Sequence, residues 1–481
     1  MKWAAFAVPA ILYIAGASHE PASWDTAELQ GVPYILGISH PTGFPLYVLA
    51  GYVWSHAIPV GSIAWRMNAM SGVAIAVACA AAYGVALQFG ASRLVALAAT
   101  LWFGVTSNVW SHAVRAEAQD LAVACSALAI YAFLRWMRGG SDRWFAAAFA
   151  LAGLGMAAHP NALWILPAFF VGAAISKRRP SWRLVAGSLG LVILALMLYA
   201  YLPLRSAYVV AHGLDPTASL DGVNGGIFWN YNDPRTLHGL ALELSGSESQ
   251  TPAYLLASLN PMHLMDALAA LFSGVRAQYG TPATVLIVVG FLVAMRRDWR
   301  TTLVFALAAT TALVFSVVYP NESDVGRYRL LVSWLAVPLF GALTPRSPRT
   351  LGFALHAALI LFLAAGAGLT FEQQQRGFFR HIPREGGRWV IEAVRPYVPR
   401  NGTIVTDWLD ATSLAYGAYV DRSLPDRVIV SDDKLRINRY RTWAKQRRVF
   451  VLVDPRSVDM LPGARDYAKL DEYHELYEVT P

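Results

Sequence analysis

Charge and cysteine are both scarce in this sequence. Charged residues make up only 15% of the 481 residues and hydrophobic residues 56%, whereas soluble domains carry about 25% charged residues. This composition excludes an ordinary soluble protein. The net charge of +8 does not point to nucleic acid, because the basic residues lie in short loops between apolar runs. Cys79 and Cys125 both fall within apolar runs, so neither a structural disulfide nor a cysteine metal site is expected.

Long polar stretches are also rare before residue 371. Apolar runs approach about 20 residues, the length of a helix that crosses a membrane. The first run follows Lys2 but lacks a clear cleavage site for a signal peptide, so it is predicted to be a retained span. The sequence predicts about eleven spans, at 3–18, 65–88, 93–112, 119–136, 144–158, 161–176, 183–203, 281–296, 301–318, 329–343 and 351–370. Phe44 to Ile58 is apolar but short and is predicted to be an interfacial helix.

The basic residues near span ends set the expected orientation. They fall on one side, which is predicted to be cytoplasmic by the positive-inside rule. The members of this set are Arg93, Arg135, Arg138, Arg143, Lys177, Arg178, Arg179, Arg183, Arg296, Arg297, Arg300, Arg346 and Arg349. The N-terminus is then inside and the C-terminus outside a bacterial cytoplasmic (inner) membrane. The main outer segments are a first loop at 19–63, a long loop at 204–280 and the tail.

The first outer loop holds the densest group of ionisable residues. Its prolines exclude one continuous helix and predict short helical pieces at one membrane face. Asp25 and Glu28 have the spacing of a capping box, with an acidic N-cap and Glu at N3. Alternatively, Asp25 faces a cavity at the membrane surface and takes a proton from an acceptor hydroxyl. The spacing alone does not decide between these interpretations.

Other polar residues collect in the same outer layer, where ionisable groups usually serve a site. His40 lies in a rigid His-Pro turn and either contacts a phosphate or caps the next helix. Arg66 opens the second span together with Asn68, and Arg205 lies in the same outer layer. Each arginine either reaches lipid headgroups or pairs with a lipid-linked phosphate. Structural and binding roles both stay open for the remaining candidates, which are Arg115, Glu117, His159, Asn232, Asp233, Asp324 and Arg327.

The tail changes character after residue 370. Strand-like runs at Gly402–Thr406, Arg427–Val430 and Arg448–Val453 alternate with helix-like stretches at Asp410–Val420 and Arg436–Lys445. This alternation predicts a small α/β domain outside the membrane. The domains are therefore expected at 1–370 (transmembrane, catalytic) and 371–481 (soluble, extracytoplasmic).

Taken together, the motifs resemble a known family. DTAEL at 25–29, HPTGFPLY at 40–47 and WRMN at 65–68 resemble the N-terminal signature of multipass protein O-mannosyltransferases, whose vertebrate member modifies plexin-type receptor domains. RAEAQDLAV, GMAAHPNALWILPA, LPLRS and NDPRTL are similar to later landmarks of that family. The resemblance covers about residues 1–330 and implies a GT-C glycosyltransferase fold of about eleven transmembrane helices.

The resemblance also implies a mechanism. GT-C enzymes take a sugar, here expected to be mannose, from a polyprenyl phosphate at the outer membrane face. A carboxylate in the first outer loop, matched here by Asp25, acts as the base on the acceptor hydroxyl, and the configuration inverts. Cations stabilise the departing lipid phosphate, and Arg66, Arg205 and Arg327 are the candidates. The expected partners are the lipid-linked sugar, a secreted or envelope protein acceptor and membrane lipid, with no nucleic acid, metal or other cofactor.

Two other functional classes compete with a transferase. A transporter or flippase of a lipid-linked glycan would favour paired charges deep in several spans and pseudo-symmetric halves. The charges here gather in one outer layer, and no internal repeat is evident. A non-catalytic membrane scaffold would require neither Asp25 nor the outer arginines. Within the enzyme class, a lipid-A-type aminosugar transferase and an oligosaccharyltransferase stay open.

Overall fold

Helices dominate the computed structural model, which describes residues 1–246, 253, 257, 260, 262–318, 325–346, 350–376 and 386–481. The α-helices up to residue 245 are α1 (Lys2–Gly16), α2 (Trp24–Ile35), α3 (Pro45–Ala57), α4 (Ile63–Gln88), α5 (Arg93–Val105), α6 (Ser107–Ala113), α7 (Ala118–Met137), α8 (Asp142–Ala158), α9 (Leu166–Ile175), α10 (Trp182–Leu196), α11 (Tyr201–Ala211) and α12 (Leu237–Ser245). Those that follow are α13 (Met262–Val318), α14 (Val325–Tyr328), α15 (Leu330–Trp334), α16 (Ala336–Ala342), α17 (Thr350–Thr370), α18 (Gly387–Val394), α19 (Trp408–Ala415) and α20 (Ile437–Ala444).

Shorter elements complete the described chain. The strands are β1 (Thr403–Thr406), β2 (Val428–Ser431), β3 (Val449–Val453), β4 (Arg465–Lys469) and β5 (Glu475–Val479). The 3₁₀ helices are Pro160–Ile165, Met197–Ala200, Pro216–Ser219 and Pro455–Met460, and π-helical turns span Phe371–Gln375 and Tyr416–Val420. Helix α13 contains non-helical backbone at Gly280 and Asp298, so it is broken near both residues.

The described chain contains several helices that suit a membrane. Five are long and apolar enough to cross one, and a sixth results if α5 and α6, which meet at a 68° bend, form one broken span. The five are Ile63–Gln88, Ala118–Met137, Trp182–Ala211, Leu268–Thr310 and Thr350–Gln375. The protein is therefore a multipass membrane protein, as predicted. The count of eleven spans and their orientation stay predictions, while α3 has only 13 residues, in line with the short helix expected there.

Two compact units make up the chain. The helical unit comprises Met1–Ala17, Ala69–Leu198 and Gln250–Ile382, and the mixed unit comprises Ser18–Asn68, Tyr199–Ser249 and Pro383–Pro481, each in its described parts. The mixed unit thus groups the first predicted outer loop and the first part of the long one with the tail, whereas the sequence division at residue 370 separates them. That division stays a prediction.

Aromatic rings fill much of the helical unit's core. Phe133 and Phe169 stack with ring centres 4.3 Å apart, and Trp136 and Phe145 pack edge to face at 4.7 Å. Such pairs add to the free energy gained by burying their area. The backbone of Gly172 approaches this cluster so closely that a Cβ there would lie 2.5 Å from the Phe133 ring. Close packing therefore requires glycine at this position.

The mixed unit is built around a five-stranded sheet with the strand order β2-β1-β3-β5-β4. β1 pairs in parallel with β2 and β3, while β5 pairs antiparallel with β3 and β4. The predicted α/β tail is confirmed, and the three predicted strands correspond to β1, β2 and β3. Strands β4 and β5 were not predicted, and β4 is exposed along most of its length, so it lacks the apolar alternation that marks a strand.

Candidate active site

Helix α2 carries the two acidic side chains of the first predicted motif. Ser23 is its N-cap, and Asp25 lies in the first turn, where the positive end of the helix dipole favours a carboxylate. Glu28 Oε2 accepts a hydrogen bond from the Ser39 hydroxyl (2.7 Å), and its Oε1 accepts one from the His40 backbone amide (2.9 Å). The capping-box interpretation, with Asp25 as N-cap, is therefore wrong. Glu28 instead organises the turn that follows the helix.

His40 lies beside both carboxylates. Its Nδ1 hydrogen-bonds to Glu28 Oε2, and its Nε2 lies 3.9 Å from Asp25 Oδ2. The Glu28 side chain is fully buried, while those of Asp25 and His40 keep 24% and 20% of their surface exposed. Burial by itself lowers the pKa of His40, but the negative charges of Glu28 and Asp25 outweigh burial and raise it to about 9. His40 is therefore positively charged at neutral pH.

The C-terminal segment supplies a fourth member of this group. Trp408 begins helix α19, and its indole Nε1 donates a hydrogen bond of 2.9 Å to Asp25 Oδ1. Its ring also packs edge-on against His40 and Tyr231, with ring centres 5.8 Å apart in each pair. Asp25, Glu28, His40 and Trp408 are called the Asp25 cluster below. Within it, the carboxylate of Asp25 is oriented by a donor and remains partly exposed, so a substrate hydroxyl can come within hydrogen-bond reach of it.

A buried acid next to the cluster was missed from the sequence. Glu243 on α12 is fully buried and accepts a hydrogen bond of 3.0 Å from Asn232 Nδ2. Its negative charge contributes to the raised pKa of His40. A Cβ on Gly43 would lie 3.4 Å from Glu243 Oε1, so the turn after His40 passes close to this acid. Buried carboxylates are rare in folded proteins, but the surrounding sequence LALELS offered no signal for this one.

Asp25 is also the first residue of a segment that is similar to known proteins. A family model of the protein O-mannosyl-transferase TMEM260 N-terminal domain matches residues 25–182. The protein O-mannosyl-transferase tmem260 of Dictyostelium discoideum is 28% identical over 95 residues, which are 19% of this chain and 12% of that protein. TMEM260 of Mus musculus is 29% identical over 97 residues, which are 20% of this chain and 14% of that protein.

The resemblance seen in the sequence is thus confirmed, but the matched segment spans less than a sixth of each relative's length. Solved structures extend the likeness in fold. ArnT from Cupriavidus metallidurans in the apo state has a TM-score of 0.54 at 12% identity, covering 98% of this chain and 97% of that chain. The same protein bound to undecaprenyl phosphate has a TM-score of 0.56 at 11% identity, with the same coverage. The chain therefore shares the fold of these ArnT structures over nearly its whole length, in agreement with the predicted fold class.

Several predicted site residues lie in the helical unit rather than in the mixed unit. Glu117 lies 3.6 Å from Arg327, and the two side chains are only 7% and 14% exposed. Asp120, one turn further along α7, is fully buried. Arg115 is exposed, and His159 accepts a hydrogen bond of 3.1 Å from the Asn161 amide at the start of a 3₁₀ helix. Asp324 lies outside the described residues.

The two outer arginines contact backbone in the mixed unit. The guanidinium of Arg66 donates to the carbonyls of Ser55 (2.8 Å), Val60 (3.1 Å) and Gly61 (3.2 Å). That of Arg205 donates to the carbonyls of Leu36 (2.5 Å) and Ile35 (3.1 Å) at the C-terminus of α2. These contacts give both arginines structural roles that the sequence did not indicate. Their predicted contact with a phosphate stays a prediction.

Hydrogen bonds within the protein also hold the side chains of Asn68, Asn232 and Asp233. Asn68 accepts a hydrogen bond of 3.0 Å from Gln30 and donates one of 2.9 Å to the carbonyl of Ser18. Asp233 accepts from Ser206 (2.9 Å) and Arg235 (2.8 Å), which favours a structural role in its turn.

Among the described residues, no group of three or more His, Cys, Asp or Glu is arranged to hold a metal ion. The absence of a metal requirement stays a prediction.

Proposed function

We propose that this protein is an inverting glycosyltransferase that moves mannose from a polyprenyl phosphate to a hydroxyl group of a protein acceptor, with Asp25 as the base. One observation carries the proposal. The Asp25 carboxylate, the first residue of the matched family segment, is oriented by Trp408, flanked by a charged His40 and partly exposed. A structural carboxylate would be expected to be buried and fully engaged, as that of Glu28 is.

The reaction needs little beyond these groups. Asp25 removes the proton from the acceptor hydroxyl as its oxygen attacks the anomeric carbon from the face opposite the phosphate. The new C–O bond forms while the bond to the phosphate oxygen breaks, and the electron pair leaves with the lipid phosphate. The configuration at the anomeric carbon inverts. His40 stays protonated, and together with the Trp408 indole it keeps the Asp25 carboxylate aimed at the hydroxyl.

The proposal also covers the cations that stabilise the leaving phosphate, the side of the membrane on which transfer occurs and the need for a metal. Arg66, Arg205 and Arg327 are the candidate cations for the leaving phosphate, with two qualifications: Arg66 and Arg205 already contact backbone, and Arg327 pairs with Glu117. We place the mixed unit outside the cytoplasmic membrane of a bacterium, where a secreted or envelope protein would be the acceptor. We include no metal, so chelation should leave transfer unchanged.

The test is transfer from a short-chain polyprenyl-phosphate mannose to envelope proteins, comparing wild type with Asp25→Asn. Asparagine keeps the size of the side chain and an oxygen that can accept from Trp408, but it cannot take the proton. We expect wild-type transfer and a loss of about 10²- to 10⁴-fold in the variant, the usual contribution of a general base. Glu20→Gln makes the same chemical change in the same loop outside the Asp25 cluster and serves as the control.

The outcomes separate the alternatives. Normal transfer by a folded Asp25→Asn variant would remove Asp25 as the base. Equal losses in Asp25→Asn and Glu20→Gln would indicate a general effect of charge in the loop. If wild type transfers no sugar from this donor but moves a lipid-linked glycan across vesicles, the transporter alternative replaces the transferase.

A further inference from the structure

A cavity of about 800 Å³ lies in the helical unit where several helices end. It is bordered by the residues after α7 and α9, by the break in α13 around Asp298 and by the segment after α16. Seven cationic side chains line it: Arg138, Lys177, Arg178, Arg296, Arg297, Arg300 and Arg346. The only acidic residue in the lining of this cavity, as far as the structure describes the chain, is Asp298. The charge facing the cavity is therefore strongly positive.

The Asp298 carboxylate already interacts with neighbouring side chains and backbone. Its Oδ2 accepts a hydrogen bond of 2.6 Å from the Thr301 hydroxyl, and its Oδ1 accepts one of 3.3 Å from the Thr301 amide. The same carboxylate lies 3.4 Å from Arg138. Asp298 thus neutralises at most one of the seven cations.

Most of the other cations have no acidic partner. Arg178 pairs with Asp142 at 2.9 Å. Within the described part of the chain, no carboxylate lies within 4 Å of the five remaining cations, which are Lys177, Arg296, Arg297, Arg300 and Arg346. Arg297 donates to the carbonyl of Ala342 (2.5 Å), and Arg300 packs on the Trp299 ring, 5.0 Å from its centre. Both contacts hold a guanidinium in place without removing its charge.

The cations also repel one another. Burial lowers the pKa of the Arg138 guanidinium, Asp298 offsets part of this effect, and the nearby charge of Arg346 lowers the pKa further. Positive charges held together in this way destabilise the fold unless an anion joins them. The positive-inside rule accounts for basic residues in several loops of one face. It does not account for their convergence on one cavity from segments as distant as residues 138 and 346.

The wall of the cavity is not uniformly polar. Phe89, Met137 and Trp299 also line it, and Arg138 lies over the Phe89 ring at 5.6 Å. Basic pockets between transmembrane helices with such apolar edges accommodate phosphorylated lipid headgroups. Arginine is suited to this task because its planar guanidinium donates two hydrogen bonds to one phosphate. The volume is within the range of small-molecule sites, about 300–1,000 Å³.

We propose that this cavity binds an anion carrying at least two phosphate groups. Its source is either the headgroup of a diphosphate-bearing membrane lipid or a soluble phosphorylated compound. The proposal rests on the helical unit alone and does not depend on the transferase activity or on Asp25. The expected function of such a site is to stabilise the helix ends around the cavity when the anion is present.

The experiment uses the delipidated full-length protein in a neutral detergent. Cardiolipin, with two phosphates, and phosphatidylcholine, with no net charge, are compared by native mass spectrometry, and inorganic pyrophosphate is titrated by calorimetry. The test variant is Lys177→Gln/Arg296→Gln, which changes two exposed cations of the lining. The control is Arg143→Gln/Arg179→Gln, which removes the same charge from exposed residues outside the lining.

We expect an anionic probe to bind wild type and the control, and to bind the test variant about 10- to 30-fold more weakly. Binding of cardiolipin but not pyrophosphate identifies a lipid site, and binding of pyrophosphate identifies a site for a soluble phosphorylated compound. If neither anion binds more tightly than phosphatidylcholine, the proposal is wrong. It is also wrong if both double variants lose the same affinity, because general surface charge would then explain the binding.

Discussion

At the scale of single residues, the indole of Trp408 fixes one oxygen of Asp25. The two residues are 383 positions apart, and their hydrogen bond measures 2.9 Å. Misplacing a catalytic group by about 1 Å can lower the rate about 100-fold, so loss of this bond is expected to lower kcat about 10- to 100-fold. Trp408→Phe keeps an aromatic ring at this position but removes the donor. Because an aromatic ring still packs against His40 and Tyr231, KM for the lipid donor and the melting temperature should change much less than kcat.

Trp389→Phe is the matched control for this variant. It makes the same substitution in the same unit, but Trp389 packs on His474 and not on the Asp25 cluster. Initial rates over a range of donor concentrations separate kcat from KM. A Trp408→Phe enzyme with wild-type kcat would mean that Asp25 is positioned without this bond.

The raised pKa of His40 predicts how the stability of the fold depends on pH. Its pKa in the folded protein, about 9, lies above the ordinary value of 6.5. The folded state therefore binds the proton more tightly, and the stabilisation is complete below pH 6.5 and lost as the pH rises through 9. The charged groups that face His40 are Glu28, Asp25 and Glu243. The free energy of unfolding of wild type relative to His40→Gln should decrease by about 3 kcal/mol across this window.

Denaturant unfolding at several pH values, followed by tryptophan fluorescence in detergent, measures this difference. His238→Gln changes an exposed histidine of the same unit and should leave the pH dependence as in wild type. A difference between wild type and His40→Gln that stays constant from pH 6 to 9.5 would contradict the raised pKa.

At the scale of elements, the C-terminus of α2 is a strained helix end that Arg205 secures. Leu36 adopts a left-handed conformation, with φ of 52°, and its amide donates to the Pro33 carbonyl, while that of Gly37 donates to Val32. This pattern is a Schellman motif, in which glycine usually takes the left-handed position. The glycine comes one residue later because a Cβ on Gly37 would overlap the Phe228 carbonyl at 1.7 Å. Arg205 donates to the last two carbonyls of this end.

Arg205→Leu is therefore expected to destabilise the fold by about 1–2 kcal/mol, through lost hydrogen bonds and lost interaction with the helix dipole. Arg205→Lys keeps the charge but not the paired donors and should lie between Leu and wild type. Denaturant unfolding measures this loss. If Arg205 instead acts on the lipid phosphate, as the sequence suggested, Arg205→Leu should raise KM for the donor and leave stability unchanged.

The elements also show what the sequence alone can predict. Apolar length predicted the membrane helices, and the prolines of the first loop predicted short helices, because both signals act within one segment. The partner of Asp25 could not be predicted, because Trp408 lies 383 positions away in the sequence and only the tertiary structure brings the two together. Arg66 and Arg205 were interpreted as phosphate ligands because their backbone acceptors leave no trace in the sequence. Strands β4 and β5 were missed because pairing with β3 and with each other, rather than apolar alternation, defines them.

At the scale of the whole molecule, the tail shares its core with segments far from it in sequence. One face of the sheet packs into a cluster in which Ile391 and Tyr416 of the tail join Val32, Val48 and Phe228. Hydrogen bonds reinforce this packing. The Tyr416 hydroxyl accepts from the Ala64 amide (2.9 Å), and the Ser413 hydroxyl donates to the Ala22 carbonyl (2.9 Å). Without those segments, a large apolar surface of the tail would face water.

Residues 386–481 expressed alone are therefore expected not to fold as an independent soluble domain. The exposed face should make the fragment aggregate or bind a hydrophobic dye, without a cooperative thermal transition, because a lone sheet with one uncovered apolar face is not stable. Circular dichroism on heating and dye fluorescence measure this. Replacing Ile391 and Tyr416 together by Ser should reduce dye binding without restoring a transition. A sharp, reversible transition of the unmodified fragment would show that the tail is a self-sufficient domain. The segments that pack on it would then cover a core that is complete without them.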